Sequence, residues 1–265
     1  MMLIPFKFNC FGKVRMANIN VAGRYVLITG GATGLGLGMV DAFHNESAHG
    51  VIVDYKSPER LHDNWTFIQC DLSDEEQVAR AFNSIESNGR AIDVLIANAG
   101  IVPSWSSINE TSTEVWDKVM AVNSRGLFLT LKYGFNVLRK PGGAVVVTAS
   151  INAWKGDANI VPYVASKHAA LGIVRSAAID FGKSGVRVNA IGPGPIATDA
   201  LMSRIRARSN SVDSEVNKSL LIMESQTALG KLATIEDVAN TALFLGSDMA
   251  AGITGQLVNV DAGLL

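Results

Sequence analysis

Tyr25-Val26-Leu27-Ile28-Thr29, followed at once by Gly30-Gly31-Ala32-Thr33-Gly34-Leu35-Gly36, decides the architecture of this 265-residue chain. The first five residues form an unbroken apolar and β-branched run, as expected of a parallel strand buried on both faces. The glycines then let the backbone turn tightly into a helix that reaches about Asn45. The same alternation continues outward. GVIVD (50–54), TFIQC (66–70), DVLIAN (93–98), GAVVVTAS (143–150), VRVNAI (186–191) and QLVNV (256–260) read as six further strands. Between them lie helical patterns. One is opened by Ser73 and Glu76 as a capping box, and one by Thr111 and Glu114, ended by Pro141 and Gly142. Another covers residues 161–182, and the last starts at Thr234 and Asp237. Strand and helix in alternation imply right-handed βαβ crossovers, and hence an α/β doubly wound parallel sheet of seven strands with helices on both faces. No linker or repeat divides residues 22–265, which read as one domain.

Composition narrows the function. Apolar residues make up 48% and charged residues 18%, against roughly 25% charged in average globular domains. That excludes a disordered chain. A net charge of −1 gives no electrostatic pull toward nucleic acid or an anionic membrane. Cys10 and Cys70 are too few for a disulfide framework, and no uncharged apolar run approaches about 18 residues. These features predict a cytoplasmic protein whose excess apolar surface lies in buried helices or a subunit interface. Residues 1–21 read as an N-terminal extension: Lys7, Lys13 and Arg15 interrupt its apolar character, it makes a poor secretory signal, and Met16 is an alternative start.

Ligands of open α/β sheets sit at the carboxyl ends of the strands. The turn after the first strand spaces its glycines as G-x-x-x-G-x-G, with Gly30, Gly34 and Gly36 in those places, rather than G-x-G-x-x-G. A following helix presents free N–H groups and positive dipole to a phosphate, with Thr33 and Leu35 in the same turn. Asp54, ending the second strand beside Tyr55, is placed to hydrogen-bond an adenosine ribose and to repel a 2′-phosphate, which favours NAD over NADP despite Lys56. Asp71, in the Cys70-Asp71-Leu72 stretch, is placed to meet the adenine amino group.

Tyr163 and Lys167 are four apart on one helix and share a face. A phenol with pKa near 10 is a poor base at neutral pH, but a neighbouring ammonium favours its phenolate. Ser150 ends the preceding strand, and Asn123 lies in the long helix before it. With the glycine turn, these residues resemble the short-chain dehydrogenase/reductase family over residues 22–265. Thr29-Gly30-x-x-x-Gly34-x-Gly36 resembles its cofactor motif. Asn98-Ala99-Gly100 resembles the segment that steadies the central sheet, and Asn123, Ser150, Tyr163 and Lys167 fit its catalytic tetrad. Pro193-Gly194, Ile196 and Thr198 resemble the segment that holds the nicotinamide carboxamide. Ala97, Ala149, Gly192 and Ala262 depart from commoner residues without removing a reacting group. The resemblance implies hydride transfer between nicotinamide C4 and a carbonyl or carbinol carbon. Tyr163 would exchange the proton, Ser150 hold the substrate oxygen, Lys167 bind the nicotinamide ribose, and Asn123 fix a relay water. It also implies pairing of the helices around 113–140 and 161–182 in a homotetramer.

Residues 198–233 read as irregular, with neither a strong strand pattern nor caps, and the resemblance implies a mobile substrate loop there. Leu201 and Met202, with Trp105, Asn152 and Trp154 from other strand ends, outline a mainly apolar pocket for a small or medium secondary alcohol or ketone. Arg204 and Arg208, one turn apart, could grip an acidic substrate but read more readily as a solvated helix face, and His168 reads as structural. No cluster has metal-ligand spacing. A reductase of carrier-bound 3-oxoacyl groups is the alternative within the family, disfavoured by Asp54. A non-catalytic dinucleotide sensor is the alternative outside it, disfavoured because sensing needs no Tyr163.

Overall fold

The computed structural model describes residues 19–209 and 213–264. It begins with β1 (Tyr25–Thr29), α1 (Gly34–Asn45), β2 (His49–Asp54), β3 (Trp65–Gln69), α2 (Glu75–Ser87) and β4 (Val94–Ala97). Then come α3 (Thr113–Met120), a π-helical segment (Ala121–Arg125), α4 (Gly126–Val137), β5 (Ala144–Thr148) and α5 (Val161–Gly182). The chain closes with β6 (Arg187–Pro193), α6 (Asp199–Ser209), α7 (Asp213–Ser225), α8 (Ile235–Gly246) and β7 (Leu257–Val260). All seven strands join one parallel sheet in the order β3-β2-β1-β4-β5-β6-β7.

Because side chains alternate across a strand, the central strands feed two cores. Leu27, Val51, Leu95, Val145 and Val188 meet α2, α4 and α5 through Phe82, Ile85, Leu129 and Val174. Val26, Ile28, Ile52, Ile96 and Val146 meet α1 and α8 through Met39, Phe43, Ala242 and Leu245. Every residue of β4 and β5 is buried, which is why those strands read as unbroken apolar runs. The order reverses between β1 and β4, where the two halves of the sheet diverge and leave a crevice at the strands' carboxyl ends.

Several expectations need correction. Residues 198–233 are not irregular: they carry α6 and α7, whose weak amphipathic patterning hid them. The caps of α2 and α3 fall one residue later than expected, on Asp74 and Ser112. Ser73 Oγ donates to Asp71 Oδ1 at 2.7 Å and Thr111 Oγ1 to the Ser107 carbonyl at 2.9 Å, while Asp74 and Ser112 accept from the first amides of their helices. Thr234 and Asp237 do form a capping box on α8. The long helix before β5 is broken by the π-helical segment, an insertion often found at functional sites. Val21 is fully buried in the α1/α8 core, so the packed body starts before residue 22. Cys10, Met16 and the rest of 1–18 lie outside the described residues.

Candidate active site

The crevice between β1 and β4 is tied together by side chains. Thr29 Oγ1 accepts from the Asn98 and Ala99 amides at 3.1 and 3.3 Å. Asn98 Nδ2 donates to the Gly30 carbonyl at 2.9 Å. Gly30 has φ +65°, and a Cβ there would come within 2.6 Å of Ala99 Cα. Thr33 and Gly34 are exposed at the start of α1. Thr33 makes no side-chain capping bond and the first turn holds no acidic residue, whereas α2, α3 and α8 are capped by Asp74, Ser112 and Thr234. The first N–H groups of α1 therefore face the crevice without a side-chain acceptor, with the helix dipole behind them, an arrangement that suits a pyrophosphate. Leu35 and Gly36 turn inward, Leu35 packing on the α1/α8 core.

At the end of β2, Asp54 Oδ2 accepts from the Ala32 amide at 2.9 Å and Oδ1 from the Lys56 amide at 3.0 Å. The carboxylate is thus held at the rim of the glycine turn, beside Tyr55, which is exposed. Asp71 Oδ1 accepts from Ser73 N at 2.9 Å, and Leu72 is buried. Cys70 is fully buried in the core, where burial and the carboxylates of Asp71 and Asp74 push its thiol up to about 11. A half-exposed ribose site, a free helix start and a close-packed turn fit a dinucleotide. Thr33, Gly34 and Asp54 would hold it.

The reacting side chains converge at the ends of β5 and α5. Ser150, Asn152, Lys167 and Asn123 are all buried, and Tyr163 is partly buried. Ser150 Oγ accepts from the Asn152 amide at 3.1 Å and is hydrogen-bonded to the Tyr163 phenol. Lys167 Nζ donates to the Thr148 carbonyl at 2.7 Å and lies 5.6 Å from the centre of the Tyr163 ring. Burial raises the phenol's pKa, while the Ser150 hydrogen bond and the charge of Arg204 pull it back. Burial alone drops Lys167 from its ordinary 10.5 to about 8. The downward pull that sequence assigns to Lys167 thus comes from Ser150 and Arg204.

Asn123 is fixed differently from expectation. Its Oδ1 accepts from the Ile101 amide at 2.8 Å, and Nδ2 donates to the Ile101 carbonyl at 2.8 Å and to Ser166 Oγ at 3.0 Å. The amide's hydrogen-bonding capacity is largely committed, and it anchors the loop after β4 to α5. Gly100 lies between Asn123 and Lys167. Ser166, fully buried and donating to the Tyr163 carbonyl at 2.7 Å, was missed from sequence. Its only signal was adjacency to Lys167.

A charged Lys167 is costly in a dry site, which gives a measurable pH dependence. Between about pH 8 and 10.5 the unfolded chain keeps the lysine proton that the folded chain has released, so native stability rises with pH through that window. A Lys167→Met variant lacks this dependence. Its urea midpoint, compared with wild type, should therefore lose ground as pH rises from 8 to 10; a constant difference would place the lysine's titration elsewhere.

On the far side of the crevice, Pro193 ends β6 and the Gly194 amide donates to Val260 O at 3.0 Å. Ile196 is buried, and Thr198 Oγ1 accepts from the Leu201 amide at 3.4 Å as α6 begins. Leu201 and Met202 are half-buried on α6; Trp154 is exposed. His168 is exposed and bonded to Val164 O, away from the reacting group. Arg204 corrects the expectation of a solvated face: its guanidinium stacks 4.1 Å from the Trp105 ring centre. The side chain of Arg208 lies outside the described residues. Among the described residues no group of three potential ligands could hold a metal ion, and no helix is long and apolar enough to cross a membrane.

A crevice shaped for a dinucleotide and a phenol placed to handle a proton beside it together define the class of nicotinamide-dependent oxidoreductases. Comparison with known proteins agrees. A family model described as enoyl-(acyl carrier protein) reductase matches residues 30–265. Short-chain dehydrogenase reductase 5 of Arabidopsis thaliana is 35% identical over 260 residues, 94% of this chain and 96% of that protein. Among solved structures, the ligand-free aldohexose dehydrogenase of Thermoplasma acidophilum superposes with a TM-score of 0.87 at 27% identity, covering 92% of this chain and 94% of its own. Carveol dehydrogenase from Mycobacterium avium, in complex with NAD, gives 0.83 at 26%, covering 92% and 98%. The chain belongs to the short-chain dehydrogenase/reductase family. It is an NAD(P)-dependent oxidoreductase acting on CH–OH or carbonyl groups.

Proposed function

We propose that this chain uses NAD to interconvert a small or medium secondary alcohol and its ketone. The observation that carries this reading is the buried Ser150–Tyr163 hydrogen bond beside Lys167, at the strand ends facing the glycine turn. Bound NAD would supply the hydride acceptor. Within the protein, Ser150 donates to the substrate oxygen and steadies the charge that develops there. Tyr163 takes the alcohol proton in oxidation and returns it in reduction. Lys167 holds the nicotinamide ribose, and Asn123 keeps the loop after β4 against α5.

Asp54 supports NAD over NADP, because a carboxylate at the ribose repels a 2′-phosphate and nothing bonded to Asp54 neutralises it: both its oxygens accept from backbone amides. The solved relative carrying NAD points the same way. Exposed apolar side chains on the outer helices, among them Trp116 on α3, Phe128 on α4 and Ile179 on α5, support a homotetramer. Light scattering reads this directly, a monomer mass ruling it out. The low charge and two cysteines support a cytoplasmic location.

The test is NADH absorbance with a panel of secondary alcohols and ketones, run with both cofactors. Wild type should turn over with NAD in preference to NADP. Asp54→Asn keeps an acceptor for Ala32 but removes the charge, and should shift the preference toward NADP by on the order of tenfold or more. An unchanged ratio would mean that Asp54 lies away from the ribose.

A further inference from the structure

The geometry points to Arg204 as the residue that selects the substrate: a ketone or secondary alcohol that carries a carboxylate, gripped by the Arg204 guanidinium while its carbonyl or carbinol oxygen meets Ser150 and Tyr163. This deepens, and rests on, the dehydrogenase reading above.

Arg204 stands on α6, over the loop that follows β4, and its guanidinium lies 4.1 Å from the centre of the Trp105 ring. A guanidinium over an indole face is held by the ring's quadrupole and keeps its N–H groups for other partners. Its Nε is shut off from solvent, yet has no hydrogen-bond partner among the described residues. A buried N–H without an acceptor is unfavourable, and a ligand oxygen would remove the cost. Asp157, exposed on the segment before α5, acts on Arg204 only through space, as does the Tyr163 phenol. The cation is therefore within electrostatic reach of the reacting phenol, on the helix that also carries Leu201 and Met202. A molecule reaching from one group to the other presents oxygen to Ser150 at one end and an acceptor to Arg204 at the other, with carbons between. A single planar guanidinium matches a carboxylate in two parallel bonds. A phosphate dianion would call for more donors than this site offers.

The experiment compares 3-oxo and 4-oxo acids of four to eight carbons with their methyl esters, using the full-length protein and NADH. Wild type should favour the acids by about tenfold or more in kcat/KM, mainly through KM. Arg204→Gln should bring the acid-to-ester ratio to about one, and Arg204→Lys should restore part of it. Calorimetric titration of the NAD-loaded protein with hexanoate, which has no carbonyl to react, should show binding in wild type that Arg204→Gln loses. Equal use of acid and ester by wild type, or a ratio that survives in Arg204→Gln, overturns the assignment of Arg204 while leaving the dehydrogenase reading in place. Failure of every ketone with either cofactor overturns both. Should Arg204→Gln not fold, the wild-type ratio and Arg204→Lys decide the matter.

Discussion

Tyr163→Phe should lower kcat by on the order of 10³-fold while NADH still binds. The phenyl ring fills the same space beside Lys167, so the fold and the dinucleotide crevice are kept. What disappears is the hydroxyl that is hydrogen-bonded to Ser150 and exchanges the substrate proton. The loss should fall on kcat rather than KM, because the proton is in transit only in the transition state. Ser150→Ala removes a donor to the same oxygen and leaves the phenol without the hydrogen bond that pulls its pKa down, so its effect should be smaller than, and not additive with, that of Tyr163→Phe. Stopped-flow and steady-state NADH absorbance read both quantities. A Phe variant that turns over within a few-fold of wild type would assign the proton to another group and remove Tyr163 from the chemistry.

The parts of this site that sequence revealed are those set by short-range chemistry. The apolar run at Tyr25–Thr29 and the glycine spacing after it declare a buried strand and a tight turn, because a Cβ at Gly30 or Gly36 would strike neighbouring backbone. Tyr163 and Lys167 share a face because four residues make about one helical turn. The parts it concealed depend on contacts across the fold. Arg204 has an ordinary surface-helix sequence around it; only the approach of the loop after β4 brings Trp105 beneath it. Asn123 was legible as polar, but that its amide is spent on Ile101 and Ser166 follows from the π-helical segment and the packing of α5. Cap positions slipped by one residue because the side chains of Asp74 and Ser112 accept the first helical amides while Ser73 and Thr111 turn back to Asp71 and Ser107, a local choice that spacing does not encode.

Gly34 and Gly36, two residues apart in one turn, should fail in different ways when replaced by alanine. A Cβ on Gly36 would lie 1.9 Å from the Gly30 carbonyl oxygen and 2.6 Å from Asn98 Nδ2. The obstacle is backbone, so relief requires α1 to move off the turn and break the Asn98–Gly30 bond. Gly36→Ala should therefore destabilise the protein by at least about 1–3 kcal/mol and lose NADH binding with it. Gly34 has φ +55° but nothing within 4 Å of its missing side chain. Alanine there pays only the left-handed backbone strain, about 1–2 kcal/mol. Its methyl would instead stand on the open face of the turn, where a pyrophosphate must approach the first N–H groups of α1. NADH affinity should fall by tenfold or more, about 1.4 kcal/mol, in a chain that remains folded. Urea unfolding separates the two variants, and fluorescence titration with NADH measures the second effect. A Gly34→Ala chain that binds NADH as tightly as wild type would mean that the dinucleotide does not cross this face. Unchanged stability in Gly36→Ala would mean that α1 does not press on the turn as closely as these distances require.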